Sequence, residues 1–234
     1  MNYKIYNKSA EDMSEVEENS IDLIIGSPPY NIGTVYGNNK DVMSFFEYKK
    51  MLNKIFTECY RVLKNEGTFL LEASDSIMTD GLYVQLSGLV QSICLDIGFN
   101  LKTRHINFVN TKNGVELKED SRWGDDYSTK NNAHSNCHQW LVFVKKEINF
   151  ENGEIFYFNY IETPEHPCPT PQESCNTFLS KYYTEGMIVL EPFMGTAVLG
   201  ENVIKRNGKY IGYEIDEKIF NETKRKLSKY NISA

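Results

Sequence analysis

The chain has 234 residues, 41% of them hydrophobic and 24% charged. That balance excludes a fibrous or disordered protein and fits one large domain, or one domain carrying an inserted piece. A net charge of −7 argues against a protein that coats nucleic acid non-specifically, which would usually be basic.

Ile21-Asp22-Leu23-Ile24-Ile25-Gly26 is a near-continuous apolar run ended by Gly and Pro, as in a strand buried on both faces. Over 44–63, Phe45, Tyr48, Leu52, Ile55, Phe56, Cys59, Val62 and Leu63 recur at helical spacing, so Phe45, Phe56 and their neighbours are expected in the core. Residues 67–72 read as the next strand. The spacing predicts a helix over 82–97, stopped at Gly98. Residues 100–109 and 139–145 are expected strands. The stretch 110–138 between them is polar and long enough to be a functional insert. Helix 172–183, strand 187–190, helix 197–206, strand 209–215 and a helix over 216–230 follow. This alternation predicts an α/β fold with a mostly parallel sheet and helices on both faces. Chemistry in such sheets sits at the carboxyl ends of strands, here 26–33, 72–76, 191–197 and 214–216.

Charge is uneven. Residues 1–99 sum to −6, 100–148 to +2 and 149–234 to −3. The middle segment is the one that does not repel a polyanion, though a charge run is also what a solvated face looks like. No window approaches 18 apolar residues, and no apolar leader opens the chain. Five cysteines without a CxxC pair are expected to be free thiols in a reducing cytoplasm. Cys137, His138, His166 and Cys168 could be written as a zinc set, but the spacing fits no common pattern and no metal is expected. His105 and His134 read as surface or loop residues. Glu72 and Asp75 end a strand near the crevice, where they could touch a ligand or cap the next segment.

Two strand ends carry chemistry. Ser27-Pro28-Pro29-Tyr30-Asn31-Ile32-Gly33 follows the first buried strand. The prolines remove two backbone donors and keep their carbonyls out of a helix ladder. A hydroxyl before them and an aromatic ring after them suit a planar ligand bearing an amino group. The alternative is a Pro-Pro turn with a buried tyrosine. The second end is Glu191-Pro192-Phe193-Met194-Gly195-Thr196-Ala197, where Gly195 admits close approach and a helix start offers free N–H groups. Glu214 ends the next strand, where a carboxylate can bind ribose hydroxyls. Neither GxGxxG nor GxxxxGK[ST] is present, which disfavours pyrophosphate and triphosphate ligands.

Together these segments resemble the amino-methylating DNA methyltransferases of the β group, which use S-adenosyl-L-methionine. Ser27-Pro28-Pro29-Tyr30 resembles the catalytic (D/N/S)PP(Y/F) tetrapeptide, and Asn19 to Ile25 the strand before it. Glu191-Pro192-Phe193-Met194-Gly195 resembles the DPFxGxG cofactor loop. Tyr210-Ile211-Gly212-Tyr213-Glu214-Ile215-Asp216 resembles the segment whose acid binds ribose. His166-Pro167-Cys168-Pro169-Thr170-Pro171 resembles the segment that opens the helix before the cofactor loop. The order, with the tetrapeptide first, is also what separates this group from RNA and protein methyltransferases bearing a similar tetrapeptide.

The resemblance implies a Rossmann-like methyltransferase sheet with one antiparallel strand pair. It divides the chain into a catalytic half at 1–109, a target-recognition insert at 110–138 and the rest of the catalytic domain at 139–234. It implies catalysis by Ser27, Pro28, Pro29 and Tyr30. It implies cofactor contacts from Asp12, Asn31, Glu191, Pro192, Phe193, Gly195, Thr196 and Glu214, and DNA contacts from Arg122, Trp123, Lys130 and His138. The implied partners are duplex DNA with its target base flipped out and a companion restriction endonuclease; monomer and homodimer both stay open. Serine at 27, which can accept and donate, and Pro169 lean toward cytosine N4 over adenine N6 as the target. The chain departs from the family pattern at Glu191 for Asp, at Ala197 for the second Gly, at Val198-Leu199 for Thr-Thr, and at Lys8-Ser9 where Gly-Asp is usual. These changes leave a second reading, a cofactor-binding module on the same fold without turnover.

Overall fold

The computed structural model describes residues 2–110, 133–134, 137–159 and 172–231. In chain order the strands are β1 (Tyr3–Tyr6), β2 (Ile21–Gly26), β3 (Val35–Tyr36), β4 (Asn39–Lys40), β5 (Leu63–Ser74), β6 (Ile77–Thr79), β7 (Leu82–Val84), β8 (Asn100–Asn110), β9 (Ala133–His134), β10 (Cys137–Val144), β11 (Ile155–Asn159), β12 (Ile188–Glu191) and β13 (Lys209–Tyr213). The helices are α1 (Phe45–Val62), α2 (Leu86–Ile97), α3 (Gln172–Tyr182), α4 (Val198–Lys205) and α5 (Glu217–Ser228). No described helix is long and apolar enough to cross a membrane.

Eight strands form the main sheet in the order β1-β13-β12-β2-β5-β10-β8-β11. All neighbours run parallel except around β10, which is antiparallel to both β5 and β8. The expected antiparallel pair is thus β8 with β10, and the reversed strand adds a second such pairing with β5. Because seven strands point the same way, the ends of β1, β2, β5, β12 and β13 open on one edge of the sheet.

The two faces alternate residue by residue. In β2, Ile24 packs with Phe56, Phe69 and Leu71 under α1 and α2. Leu23 and Ile25 pack with Leu70, Trp140 and Phe178 on the opposite face, under α3. The apolar stripe over 44–63 becomes α1, whose Tyr48, Leu52, Ile55, Phe56, Cys59 and Val62 are buried. Ser44 and Glu47 close a capping box at its start. Gly98 ends α2 at φ 115°, a left-handed cap that a side chain would strain.

Several expectations change. The strand expected over 67–72 extends over 63–74, and the helix expected from 82 starts at 86, after β7. Both sheet edges, β1 and β11, lie in segments not expected to be strands. His105 is no surface residue: it is buried in the middle of β8. Its Nδ1 accepts the Glu154 backbone N–H at 3.0 Å, which leaves Nε2–H to donate to the Tyr182 hydroxyl at 2.6 Å. Burial lowers its pKa, consistent with a neutral ring.

Candidate active site

Gly26 is the hinge between the two chemical loops. A Cβ there would sit 3.3 Å from Pro192 Cδ and 3.6 Å from the Phe193 ring. Glycine therefore lets the loop after β2 lie directly against the loop after β12.

In the first loop, the Pro29 carbonyl accepts the buried Tyr48 hydroxyl at 2.8 Å. No described residue donates to the Pro28 carbonyl. Ser27 Oγ donates to the Tyr30 hydroxyl at 3.4 Å. That hydroxyl lies 3.3 Å from His138 Nδ1, which lies 3.2 Å from Glu72 Oε1. The Tyr30 and His138 rings also meet edge to face at 5.9 Å. Burial, with the Glu72 carboxylate nearby, raises the Tyr30 phenol well above its ordinary pKa, so it stays neutral. Thus His138, expected to contact DNA, lies against the Tyr30 hydroxyl and the Glu72 carboxylate. Glu72, weighed as a cofactor contact or a cap, is its partner. Asp75 accepts the Gln139 side-chain amide at 2.8 Å.

Asn31 has φ 57°, a left-handed conformation that Asn tolerates better than most residues. Its amide donates to the Met43 carbonyl at 2.8 Å and to Thr79 Oγ1 at 2.9 Å, and its oxygen accepts the Met43 N–H at 2.8 Å. Both side-chain donors of Asn31, an expected cofactor contact, are spent inside the protein, where they clamp the loop.

In the second loop, Glu214 is the organising group. Its Oε2 accepts the Gly195 N–H at 2.9 Å and its Oε1 the Asp216 N–H at 2.8 Å. Each oxygen keeps a lone pair, held in a fixed direction. Burial raises its pKa against those bonds. Asn7, just past β1, donates to the Glu214 and Ile215 carbonyls at 2.9 and 3.3 Å. Thr223 and Lys226 of α5 donate to the Gly195 and Thr196 carbonyls at 2.9 and 3.1 Å. Pro192 is buried, while Phe193 and Thr196 are half-buried.

Glu191 differs from expectation. It is 8% exposed, accepts the Tyr210 hydroxyl at 2.6 Å, and burial pushes its carboxyl up to about 8. At neutral pH it is a mostly protonated group beneath the loop, not a charged ligand. Ala197 adopts φ 51°, the left-handed region that explains why glycine is usual there; an alanine in it costs about 1 kcal/mol. Asp12 is largely exposed and pairs with Lys8 at 2.8 Å, which draws its carboxyl down to about 2. Arg122, Trp123, Lys130 and the 166–171 segment lie outside the described residues.

The site thus packs the Ser27–Tyr30 loop against the loop of Pro192 and Gly195, which the Glu214 carboxylate holds. A sequence profile described as DNA methylase, of the N6/N4 methyltransferase type, matches residues 21–165 and 151–225. The chain belongs to the N6/N4 DNA methylase family. It is 28% identical to the Type II methyltransferase M.HpaI of Haemophilus parainfluenzae, over 97% of this chain and 74% of that protein. It is 23% identical to the DNA adenine methyltransferase YhdJ of Escherichia coli, over 95% of this chain and 81% of that one. In fold it is similar to PvuII DNA methyltransferase, cytosine-N4-specific, with a TM-score of 0.73 at 16% identity, covering 99% of this chain and 92% of that one. A DNA modification methylase of Thermus thermophilus, in complex with S-adenosyl-L-methionine, superposes with a TM-score of 0.70 at 16% identity, covering 99% and 96%.

Proposed function

We propose that this methylase transfers a methyl group from S-adenosyl-L-methionine to the exocyclic N4 of cytosine in duplex DNA. The observation that carries the reading is the packing of the Ser27–Tyr30 loop on the cofactor-type loop through Gly26 and Pro192. The residues fit that cofactor. Glu214 presents two oriented oxygens for ribose hydroxyls, and Gly195 leaves room for close approach. The cofactor supplies a methyl group on a sulfonium, an electrophile that needs no metal.

The chain's own work is placement. The target amino nitrogen is a poor nucleophile because its lone pair is delocalised into the ring. Ser27 Oγ and the Pro28 carbonyl accept its two hydrogens, which favours a tetrahedral nitrogen with a localised lone pair. Tyr30, held by His138 and Glu72, offers a ring face to a base that has left the stack, offsetting part of the few kcal/mol that flipping costs. Most of the acceleration comes from proximity and fixed dipoles.

Adenine N6 is the second reading, and one contact favours it. The Ser27 proton is directed at Tyr30, so Ser27 meets the base as an acceptor, much as an aspartate would. The deciding experiment offers tritiated cofactor to unmodified duplex DNA, RNA and a protein lysate, then identifies labelled nucleosides by mass spectrometry. N4-methylcytosine from DNA is expected, and Ser27→Ala should lower kcat by at least about 100-fold while leaving cofactor binding nearly unchanged. Label on cytosine C5 would sink the mechanism, because that chemistry needs a cysteine nucleophile absent from 27–33.

A further inference from the structure

The sheet face that carries His138 also carries polar groups that the described residues do not satisfy. Asn107 is 0% exposed, and neither its Nδ2 nor its Oδ1 has a partner among the described residues. The Trp140 indole N–H, in a residue 2% exposed, and the Ser174 hydroxyl, in one 0% exposed, also lack one. The groups are neighbours. Asn107 on β8 lies directly across from His138 on β10, and Trp140 follows two residues along β10 on the same face. Directly opposed side chains in such a ladder stand about 5 Å apart and diagonal ones about 7–8 Å. Ser174 precedes Phe178 by one turn of α3, and the Phe178 ring packs on Trp140 at 4.2 Å. His138 itself lies 3.3 Å from the Tyr30 hydroxyl. The unsatisfied groups therefore extend from the catalytic tyrosine along the face beneath α3.

Buried amides without partners destabilise a fold, and leucine or valine would fill a strand position at no such cost. A polar group retained there points to a ligand that completes it. We propose that Asn107 and Trp140 read the pairing edge of a flipped cytosine, Asn107 Nδ2–H donating to the ring nitrogen beside the amino group and Trp140 Nε1–H to the adjacent carbonyl oxygen. This assignment rests on the DNA-methylation reading above. Once Ser27 and Pro28 hold the amino hydrogens, the rest of the edge presents acceptors only. Cytosine has two in succession, N3 and O2. Adenine has N1 followed by a C–H. An indole N–H can only donate, and the amide supplies the other donor. Two consecutive donors therefore match cytosine and leave one unmatched against adenine. A site built on such bonds discriminates strongly, because the wrong base leaves its buried groups unpaired.

The test uses the full chain, amplified and therefore unmodified bacterial genomic DNA, and tritiated S-adenosyl-L-methionine. Asn107→Leu keeps the volume and removes the carboxamide. It should melt a few degrees above wild type, while kcat/KM for DNA falls on the order of 100-fold or more and cofactor affinity stays within about twofold. Trp140→Phe keeps a ring against Phe178 and should lose about tenfold in kcat/KM. Should the leucine variant not fold, Asn107→Ala removes the same donors without adding branches, and the same loss of activity is expected. A folded leucine variant that melts below wild type, or either Asn107 variant methylating DNA at the wild-type rate, overturns the proposal. So does wild-type label on adenine N6, which leaves the amino-methylation reading standing. A wild type that labels no DNA overturns that reading, and this inference with it.

Discussion

Glu191 ends β12 and Glu214 follows its paired neighbour β13; burial raises both carboxyls, but to different extents because their partners differ. Glu214 is held by two backbone N–H groups that favour the carboxylate. Glu191 has one tyrosine hydroxyl and a buried setting that favours the acid. Glu214→Ala should therefore weaken S-adenosyl-L-methionine binding by roughly 10- to 100-fold in calorimetry, the loss of a charge-assisted contact of about 1.5–3 kcal/mol. Equal affinities would remove Glu214 from the site. The Glu191 prediction concerns pH. Its carboxyl titrates near 4.5 when unfolded and near 8 when folded. Between those values the unfolded chain has released a proton that the folded chain retains. Stability from this group is thus full below about 4.5 and lost as pH rises toward 8. Glu191→Gln lacks that titration. Its melting temperature should gain on wild type steadily between pH 5 and pH 8.5, and a gap independent of pH would show that Glu191 is ionised in the fold.

The hairpin β3–β4 links the two halves of the site at the level of elements. The Asn38 backbone N–H and the Asn39 amide donate to Asp216 Oδ2 at 2.7 and 2.8 Å, while Asp216 Oδ1 caps α5 through the Ile219 N–H at 2.9 Å. Gly37 at the turn has φ 56°, and a Cβ there would collide with the Asp216 carboxylate. The segment just after Ser27–Tyr30 is thereby tied to the residue two past Glu214. Gly37→Ala should undock the hairpin and weaken cofactor binding on the order of tenfold, the scale of left-handed strain plus lost contacts. Calorimetry with limited proteolysis at 35–40 checks it: unchanged affinity together with unchanged cleavage would show the docking to be dispensable.

For the whole molecule, electrostatics limits how DNA is held. The net charge is −7, and the stretch 100–148 is the net-positive one. Phosphate contacts should be few, so the plot of log K against log salt should have a shallow slope, of magnitude below about 5. Fluorescence anisotropy across a salt series measures it. A slope near −10, as for a strongly basic repressor, would mean that the acidic remainder of the surface is held clear of the duplex.

Much of this protein is legible in its sequence because the relevant signals are local. The apolar run 21–26, the stripe on α1 and the Pro and Gly punctuation fix element types within a few residues, and parallel alternation then places Ser27, Gly195 and Glu214 on one edge. What tertiary structure alone decided are the hydrogen-bond partners, because these follow from register between strands far apart in the chain. Glu72 and His138 meet across 66 residues, which places an expected DNA contact beside the Tyr30 hydroxyl. Asn31 spends its amide on Met43 and Thr79, and Glu191 finds Tyr210. The edge strands β1 and β11 are short, and their segments become strands by pairing with β13 and β8. Asn107 reads in sequence as one polar residue in a strand; only its burial opposite His138 shows it as a group without a hydrogen-bond partner among the described residues.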